Sequence, residues 1–252
     1  MSKIIIILCG GLGKRMESDV PKVINNFNNK PMLIILLEEI LLNSEQMENI
    51  YIVVGKYKSL IKETLEKYNI LHPKILFMNQ TEALGTGHAV MCCRGELLTY
   101  KKDSNILVLY GDTPLISQNT IRNMFNVNNV KLLTTIVKNP TGFGRIIEND
   151  NKIDKIVEHK DCCLEQLEIR KINCGIYSFN NSLLCKYLPL INNSNSQNEY
   201  YLTDIIELIK ENEGINIEEY IMPKEKQYEV LGVNTKDQLN KLEEVYKNRD
   251  NV

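Results

Sequence analysis

The stretch Lys3-Ile4-Ile5-Ile6-Ile7-Leu8-Cys9-Gly10-Gly11-Leu12-Gly13-Lys14-Arg15-Met16 frames the reading of the whole chain. After Lys3 come the β-branched run Ile4-Ile5-Ile6-Ile7 and then Leu8 and Cys9, apolar and without polar alternation, as a strand buried on both faces reads. Gly10, Gly11 and Gly13 follow, then Lys14 and Arg15. Where no Cβ intervenes, backbone N–H groups can approach an anion, and α/β folds commonly bind phosphate at such a turn. Taken alone, the loop also fits an ordinary strand-to-helix turn with solvated Lys and Arg.

Two familiar phosphate loops fail on their defining residues. A Walker A loop needs G-x-x-x-x-G-K-[ST], but Arg15 follows Lys14 and Leu8 stands five before Gly13. A dinucleotide fingerprint needs a small residue three after Gly13, where Met16 stands. What remains is a glycine turn near three cations, Lys14, Arg15 and Lys22, which suits a triphosphate.

Outward from this loop, strand and helix patterns alternate. Apolar runs at 50–54, 75–78, 106–110 and 132–137 read as strands. Helical spacing occupies 31–42, with Pro31 in its first turn, and 59–68, 88–98 and 118–125. This order predicts an α/β fold, a mostly parallel central sheet with helices on both faces. The second half differs. Residues 145–148 and 153–158 read as a hairpin turning at Asn149, Asp150 and Asn151. A further strand lies within 169–179, a polar low-complexity loop covers 192–198, and helices are expected at 202–210 and 236–247. No linker-like shift divides the chain, so the second half is expected to form a smaller β-rich substrate-binding subdomain on the sheet.

The 252 residues suffice for such a domain, with 43% hydrophobic and 25% charged. A net charge of −2 supplies no global field for nucleic acid, which favours a small phosphorylated ligand held by local cations. The seven cysteines include the adjacent pairs Cys92-Cys93 and Cys162-Cys163, unlike the C-x-x-C spacing of zinc sites. Reduced thiols and a cytoplasmic location are expected. The apolar run 4–8 is too short for a signal peptide, and nothing approaches the ~20 apolar residues of a membrane span.

The opening resembles the signature L-A-A-G-x-G-T-R-M, followed by P-K, of sugar-1-phosphate nucleotidyltransferases. More narrowly, the chain resembles the uridyltransferase domain of bacterial bifunctional N-acetylglucosamine-1-phosphate uridyltransferases, the UDP-N-acetylglucosamine pyrophosphorylase type. Further matching blocks, in order, are Gln80 with Leu84-Gly85-Thr86-Gly87-His88-Ala89, then Leu109-Tyr110-Gly111-Asp112-Thr113-Pro114, then Asn139-Pro140-Thr141-Gly142-Phe143-Gly144-Arg145. Val157-Glu158-His159-Lys160-Asp161, Ile172-Asn173-Cys174-Gly175, Glu199-Tyr200-Tyr201-Leu202-Thr203-Asp204 and Gly232-Val233-Asn234 complete the set. The blocks span residues 3 to about 247, and the ordered set is specific.

The resemblance implies a Rossmann-like three-layer nucleotidyltransferase fold. It divides the chain into a nucleotide-binding half to about 137, a sugar-binding half to about 234, and a C-terminal helix and tail at 235–252. It implies uridylyl transfer from UTP to N-acetylglucosamine 1-phosphate with Mg²⁺, giving UDP-N-acetylglucosamine and pyrophosphate. Arg15 and Lys22 would be the catalytic cations. Leu8, Gly10, Gly11, Gln80, Gly85 and Thr86 would bind the nucleotide. Gly144, Glu158, Asn173, Tyr201 and Thr203 would bind the sugar, and Asp112 and Asn234 the metal. The blander readings are a turn-forming Asp112, an Asn234 that caps the last helix, a solvated Glu158, and packing or surface roles for His88 and His159.

Cys9 and Gly10 stand for the two alanines of the signature, Lys14 for its threonine, Ala83 for a polar residue before L-G-T-G, and Cys174 for the threonine of I-N-T-G. Transfer to another sugar 1-phosphate such as glucose 1-phosphate, transfer from dTTP, and a non-catalytic nucleotide-sugar-binding subunit remain alternatives. Neither nucleic acid nor membrane is an expected partner, and oligomeric state is not legible. No hexapeptide ladder of the left-handed β-helix acetyltransferase type appears in the chain, so a stand-alone uridyltransferase is expected.

Overall fold

A computed structural model of the chain describes residues 2–11, 16 and 20–248. In chain order the strands are β1 (Lys3–Leu8), β2 (Asn26–Phe27), β3 (Lys30–Pro31), β4 (Asn49–Val54), β5 (Ile75–Asn79), β6 (Asn105–Tyr110), β7 (Val130–Ile136), β8 (Arg145–Asn149), β9 (Lys152–Val157), β10 (Lys171–Asn180) and β11 (Glu218–Ile221). The helices are α1 (Met32–Leu41), α2 (Lys58–Lys67), α3 (Thr86–Met91), α4 (Arg94–Leu97), α5 (Gln118–Phe125), α6 (Leu164–Leu167), α7 (Asn181–Tyr187), α8 (Asp204–Glu213) and α9 (Lys236–Asn248).

The opening isoleucine run explains the architecture. Ile4 to Ile7 are each at 0% exposure because β1 lies inside the sheet, parallel to β4 on one side and β6 on the other. The sheet order is β11-β7-β10-β6-β1-β4-β5, with the β8–β9 hairpin joined through β10. β10 is antiparallel to both β6 and β7, β11 is parallel to β7, and β4 is parallel to β5. The sheet is therefore mostly parallel.

Alternate side chains feed two cores, as the period of two in a strand requires. Ile4, Ile6, Leu8, Ile106 and Val108 pack with Val90, Leu97, Leu184 and Ile205, which come from α3, α4, α7 and α8. Ile5, Ile7, Ile52, Leu107 and Leu109 pack on the other face with Leu33, Leu37, Ile61, Leu65 and Ile121 from α1, α2 and α5. The result is three layers. A smaller cluster of Met16, Phe27, Met32, Leu115, Val233 and Leu242 docks α9 beside the start of α1.

Several elements differ from the sequence expectation. Pro31 caps α1 from outside, with Met32 as the first helical residue. The expected helix at 88–98 is two pieces, because the Cys93 N–H bonds Val90 O, three residues back, and tightens the turn. α8 starts two residues later than expected and runs to Gly214, which closes it in the left-handed conformation at φ 63°. β11 and α7 carried no clear periodic signal, and β11 is a half-exposed edge strand. No helix among the described residues is long and apolar enough to cross a membrane.

Candidate active site

The parallel strands end at one edge of the sheet, where open α/β folds bind their ligands. β1 ends at Leu8 and delivers Gly10 and Gly11, β5 ends at Asn79 and delivers Gln80, and β6 ends at Tyr110 and delivers Asp112. Leu8, Gly10, Gly11, Gln80, Gly85 and Thr86, the six residues expected on the nucleotide side, line one cavity of about 250 Å³. Lys22 and Asp112 line it too.

Close backbone approach explains two of the glycines. A Cβ on Gly10 would lie 2.6 Å from Gln80 Oε1. Gly85 has φ 109°, and a Cβ there would meet the Tyr200 backbone oxygen at 2.6 Å. Gln80 is held from the other end, since its Nε2 donates to Gly85 O at 3.1 Å and to His88 Nδ1 at 3.2 Å. Its carbonyl oxygen is left toward Gly10.

The Lys22 ammonium bonds the Asp112 carboxylate and donates to Asn234 Oδ1 at 2.8 Å. Asp112 is only 6% exposed. The Gly232-Val233-Asn234 segment runs along it, with the Val233 N–H donating to Asp112 O at 3.1 Å. A Cβ on Gly232 would stand 3.7 Å from both carboxylate oxygens. Asn234 does not cap α9. Thr235 does, its Oγ1 accepting from the Gln238 N–H at 3.2 Å, while Gln238 Oε1 accepts from the Asn234 N–H at 2.7 Å. That arrangement leaves the Asn234 side chain available to Lys22. Lys14 and Arg15 lie outside the described residues.

The residues expected on the sugar side gather around the ends of the β8–β9 hairpin. A Cβ on Gly144 would lie 3.5 Å from Glu158 Oε2 and 3.6 Å from Asn173 Cβ. Thr203 donates its hydroxyl to Glu158 Oε1 at 3.2 Å, so Glu158 is not a solvated strand residue. Asn173 is engaged internally: Nδ2 donates to the Tyr177 hydroxyl at 2.6 Å and Oδ1 accepts from the Gly175 N–H at 3.0 Å. Glu158 and Tyr201 line a second cavity of about 350 Å³, apart from the nucleotide-side residues. Backbone bonds from Gly87 N to Tyr200 O and from Tyr200 N to Leu84 O, 2.7 and 2.8 Å, clip the two blocks together. The Leu202 N–H adds a third bond, to Thr86 Oγ1 at 3.0 Å.

A family model described as nucleotidyl transferase matches residues 4–224. The chain belongs to the nucleotidyl transferase family. It is 42% identical over 257 residues to a bifunctional protein GlmU of Clostridium botulinum, with 100% of this chain and 54% of that protein covered. A probable UDP-N-acetylglucosamine pyrophosphorylase of Acanthamoeba polyphaga mimivirus is 40% identical over 250 residues, covering 96% of each. This chain thus spans about half the length of the bacterial relative and nearly all of the viral one. A crystal structure of UDP-glucose pyrophosphorylase complexed with UDP-glucose shares the fold, with a TM-score of 0.74 at 17% identity over 99% of this chain and 100% of the other.

In this nucleotidyl transferase, Tyr110 also lines the first cavity, a position to which the sequence reading gave no role. Its available signals were its place as the last residue of a buried strand and its position in the Leu109-Tyr110-Gly111-Asp112 block. Burial pushes the phenol well above its ordinary range, the charges of Glu158 and Asp112 push it further, and a hydrogen bond from Thr86 opposes them. Tyr110 therefore lies within electrostatic reach of both groups of site residues. Gly175, at φ 74° where β10 is irregular, makes room for it, since a Cβ there would lie 2.6 Å from the Tyr110 ring. The polar loop 192–198 is likewise tied in: the Ser196 N–H donates to Asp161 Oδ1 at 2.9 Å and Gln197 Nε2 to the Tyr201 hydroxyl at 2.8 Å. Burial raises the Glu158 carboxyl above its ordinary value, Thr203 partly offsets this, and Asp161 and Glu199 add to it.

Among the described residues no group of three or more His, Cys, Asp or Glu side chains could hold a metal ion. One carboxylate and one amide oxygen do converge on a single positive charge, that of Lys22. Such a pair of hard oxygen donors fits Mg²⁺, which is usually bound by one or two carboxylates with waters and substrate phosphates completing its shell.

Proposed function

We propose that this nucleotidyl transferase moves a uridylyl group from UTP to N-acetylglucosamine 1-phosphate, releasing pyrophosphate. One observation carries the reading: Lys22, which bonds both Asp112 and Asn234, lines with Asp112 the cavity that Leu8, Gly10, Gly11, Gln80, Gly85 and Thr86 also line. The names of the bacterial and viral relatives support the choice of sugar and base.

A phosphate oxygen of the sugar 1-phosphate attacks the α-phosphorus of UTP, and the bond from that phosphorus to the bridging oxygen of the β-phosphate breaks. The attacking oxygen is already anionic, so no protein nucleophile is required. Cys9 accords with this, because burial pushes its thiol far above the range in which a thiolate forms. The obstacle is the meeting of two anions, and positioned cations lower it by alignment and charge stabilisation. Lys22 serves the reacting phosphates and Arg15 the leaving pyrophosphate. Mg²⁺, held by Asp112 and Asn234, supplies further neutralisation when bound.

A uracil edge presents one N–H between two carbonyls. Gln80 Oε1 suits that N–H, since both hydrogens of its amide nitrogen are engaged by Gly85 and His88. Glu158, Asn173, Thr203, Tyr201 and Gly144 form the sugar side in this reading, with residues to about 137 as the nucleotide half. A cytoplasmic location accords with seven unpaired cysteines.

Purified protein, UTP and Mg²⁺ are to be incubated with N-acetylglucosamine 1-phosphate, glucose 1-phosphate and other sugar 1-phosphates, with dTTP in parallel, and pyrophosphate assayed. Release is expected to be fastest with UTP and N-acetylglucosamine 1-phosphate. Silence across the panel would overturn the reading, and a faster rate with another sugar or base would replace its substrate.

A further inference from the structure

On the β8–β9 hairpin, Gly144 approaches Glu158 and Ile156, whereas Arg145 pairs across the ladder with Val157. Successive side chains of a strand point to opposite faces, so Arg145 leaves the hairpin on the side away from the sugar residues. There it lines a separate cavity of about 310 Å³ with Lys138, Thr141, His159, Glu168 and Arg170.

Arg145 is 1% exposed, and a guanidinium cannot shed its proton to ease burial. It donates to Phe143 O, to His159 Nδ1 at 3.3 Å and to Leu167 O at 3.4 Å, and its Nε has no partner. Three of five N–H donors are used, leaving Nε–H and one hydrogen on Nη1. No ion pair among the described residues involves Arg145, Lys138, Arg170 or Glu168. Three cations thus face one carboxylate around the cavity. Buried charges are ordinarily paired, because an unpaired one forfeits its hydration without compensation.

We infer that this cavity binds a small oxyanion of the phosphate type, at a site separate from the nucleotide cavity. The buried, unpaired guanidinium supplies a fixed positive charge beside the cavity, and Lys138 and Arg170, both exposed, supply the donors at its rim.

Titration calorimetry with inorganic phosphate, with acetate as a carboxylate control, tests this without UTP or sugar phosphate present. Failure of the transferase assay would therefore leave it standing, and the reverse holds. Lys22→Ala removes one cation of the nucleotide cavity and is expected to retain saturable one-to-one phosphate binding. The rim double variant Lys138→Ala/Arg170→Ala keeps the buried arginine, so its fold is expected to survive, with phosphate bound about tenfold more weakly. Acetate is expected to bind more weakly than phosphate in the wild-type chain. Phosphate affinity unchanged in the rim variant, binding lost in Lys22→Ala, or no saturable heat in the wild type would each overturn the inference.

Discussion

Lys22 donates to Asn234 Oδ1 at 2.8 Å across 212 positions of sequence, and the same ammonium bonds Asp112. Removing the lysine is therefore expected to act on chemistry and on folding. Lys22→Ala is expected to lower kcat by about 100- to 1,000-fold, the scale of one lost charge-stabilising donor. It also leaves the buried Asp112 carboxylate without a partner, so the variant should melt below the wild type in chelator. Added Mg²⁺ should restore more melting temperature to the variant than to the wild type, which calorimetry with and without the metal measures.

Gly85→Ala is expected to damage both sides of the site. At φ 109° an alanine is strained, and its Cβ would lie 2.6 Å from Tyr200 O and 2.8 Å from Tyr200 N, backbone atoms that cannot swing aside. The combined cost is about 1–3 kcal/mol. Because the same segment carries Tyr201 and Thr203, KM for UTP and for the sugar phosphate should rise together. A rise confined to UTP in steady-state kinetics would contradict the coupling.

The local parts of this architecture were legible in the residues. The isoleucine run announces the buried strand, and the glycines after it the turn that brings Gly10 and Gly11 to the cavity, since both signals depend on neighbours in sequence. The helix cap at 235 was not legible, because Asn234 and Thr235 are adjacent and Asn is the better cap by propensity, while the Asn234 side chain is engaged by Lys22 and Thr235 caps. β11 lies at a half-exposed edge, where pairing with β7 rather than an apolar pattern makes the strand. Tyr110 and Arg145 stood inside recognised blocks, but their surroundings depend on a bulge in β10 and on the packing of a hairpin.

His88 is expected to act as a positioning residue. Its Nδ1 accepts from Gln80 Nε2, which keeps the amide from turning its nitrogen toward Gly10. His88→Ala should raise KM for UTP several-fold, the value of about 1 kcal/mol for one hydrogen bond, with kcat nearly unchanged. With only the bond to Gly85 O left to hold it, the amide turns more readily and can also meet the N3 acceptor of cytosine, so the preference for UTP over CTP should narrow. Competition kinetics with the two nucleotides measures this, and an unchanged ratio would remove His88 from base selection.

Asp204 links the acidic side of the site to stability. It is the first residue of α8, where the helix dipole favours a carboxylate, yet its pKa is raised from the ordinary 3.8 to about 6. Burial is the largest cause, followed by the charges of Glu158, Glu207 and Asp161. Lys155 does not relieve it, since that ammonium is bonded to Glu207 at 2.8 Å. The folded chain therefore holds this proton more tightly than the unfolded chain. Below 3.8 both states are protonated and no penalty exists; between 3.8 and about 6 stability falls as pH rises; above that the whole penalty is present. The shift corresponds to about 3 kcal/mol, which partial exposure reduces to about 1 kcal/mol. Asp204→Asn should accordingly melt above the wild type at neutral pH and converge with it in acid. A variant that melts below the wild type at neutral pH would mean that the ionised carboxylate stabilises the fold, and the electrostatic account of the sugar side would have to be reversed.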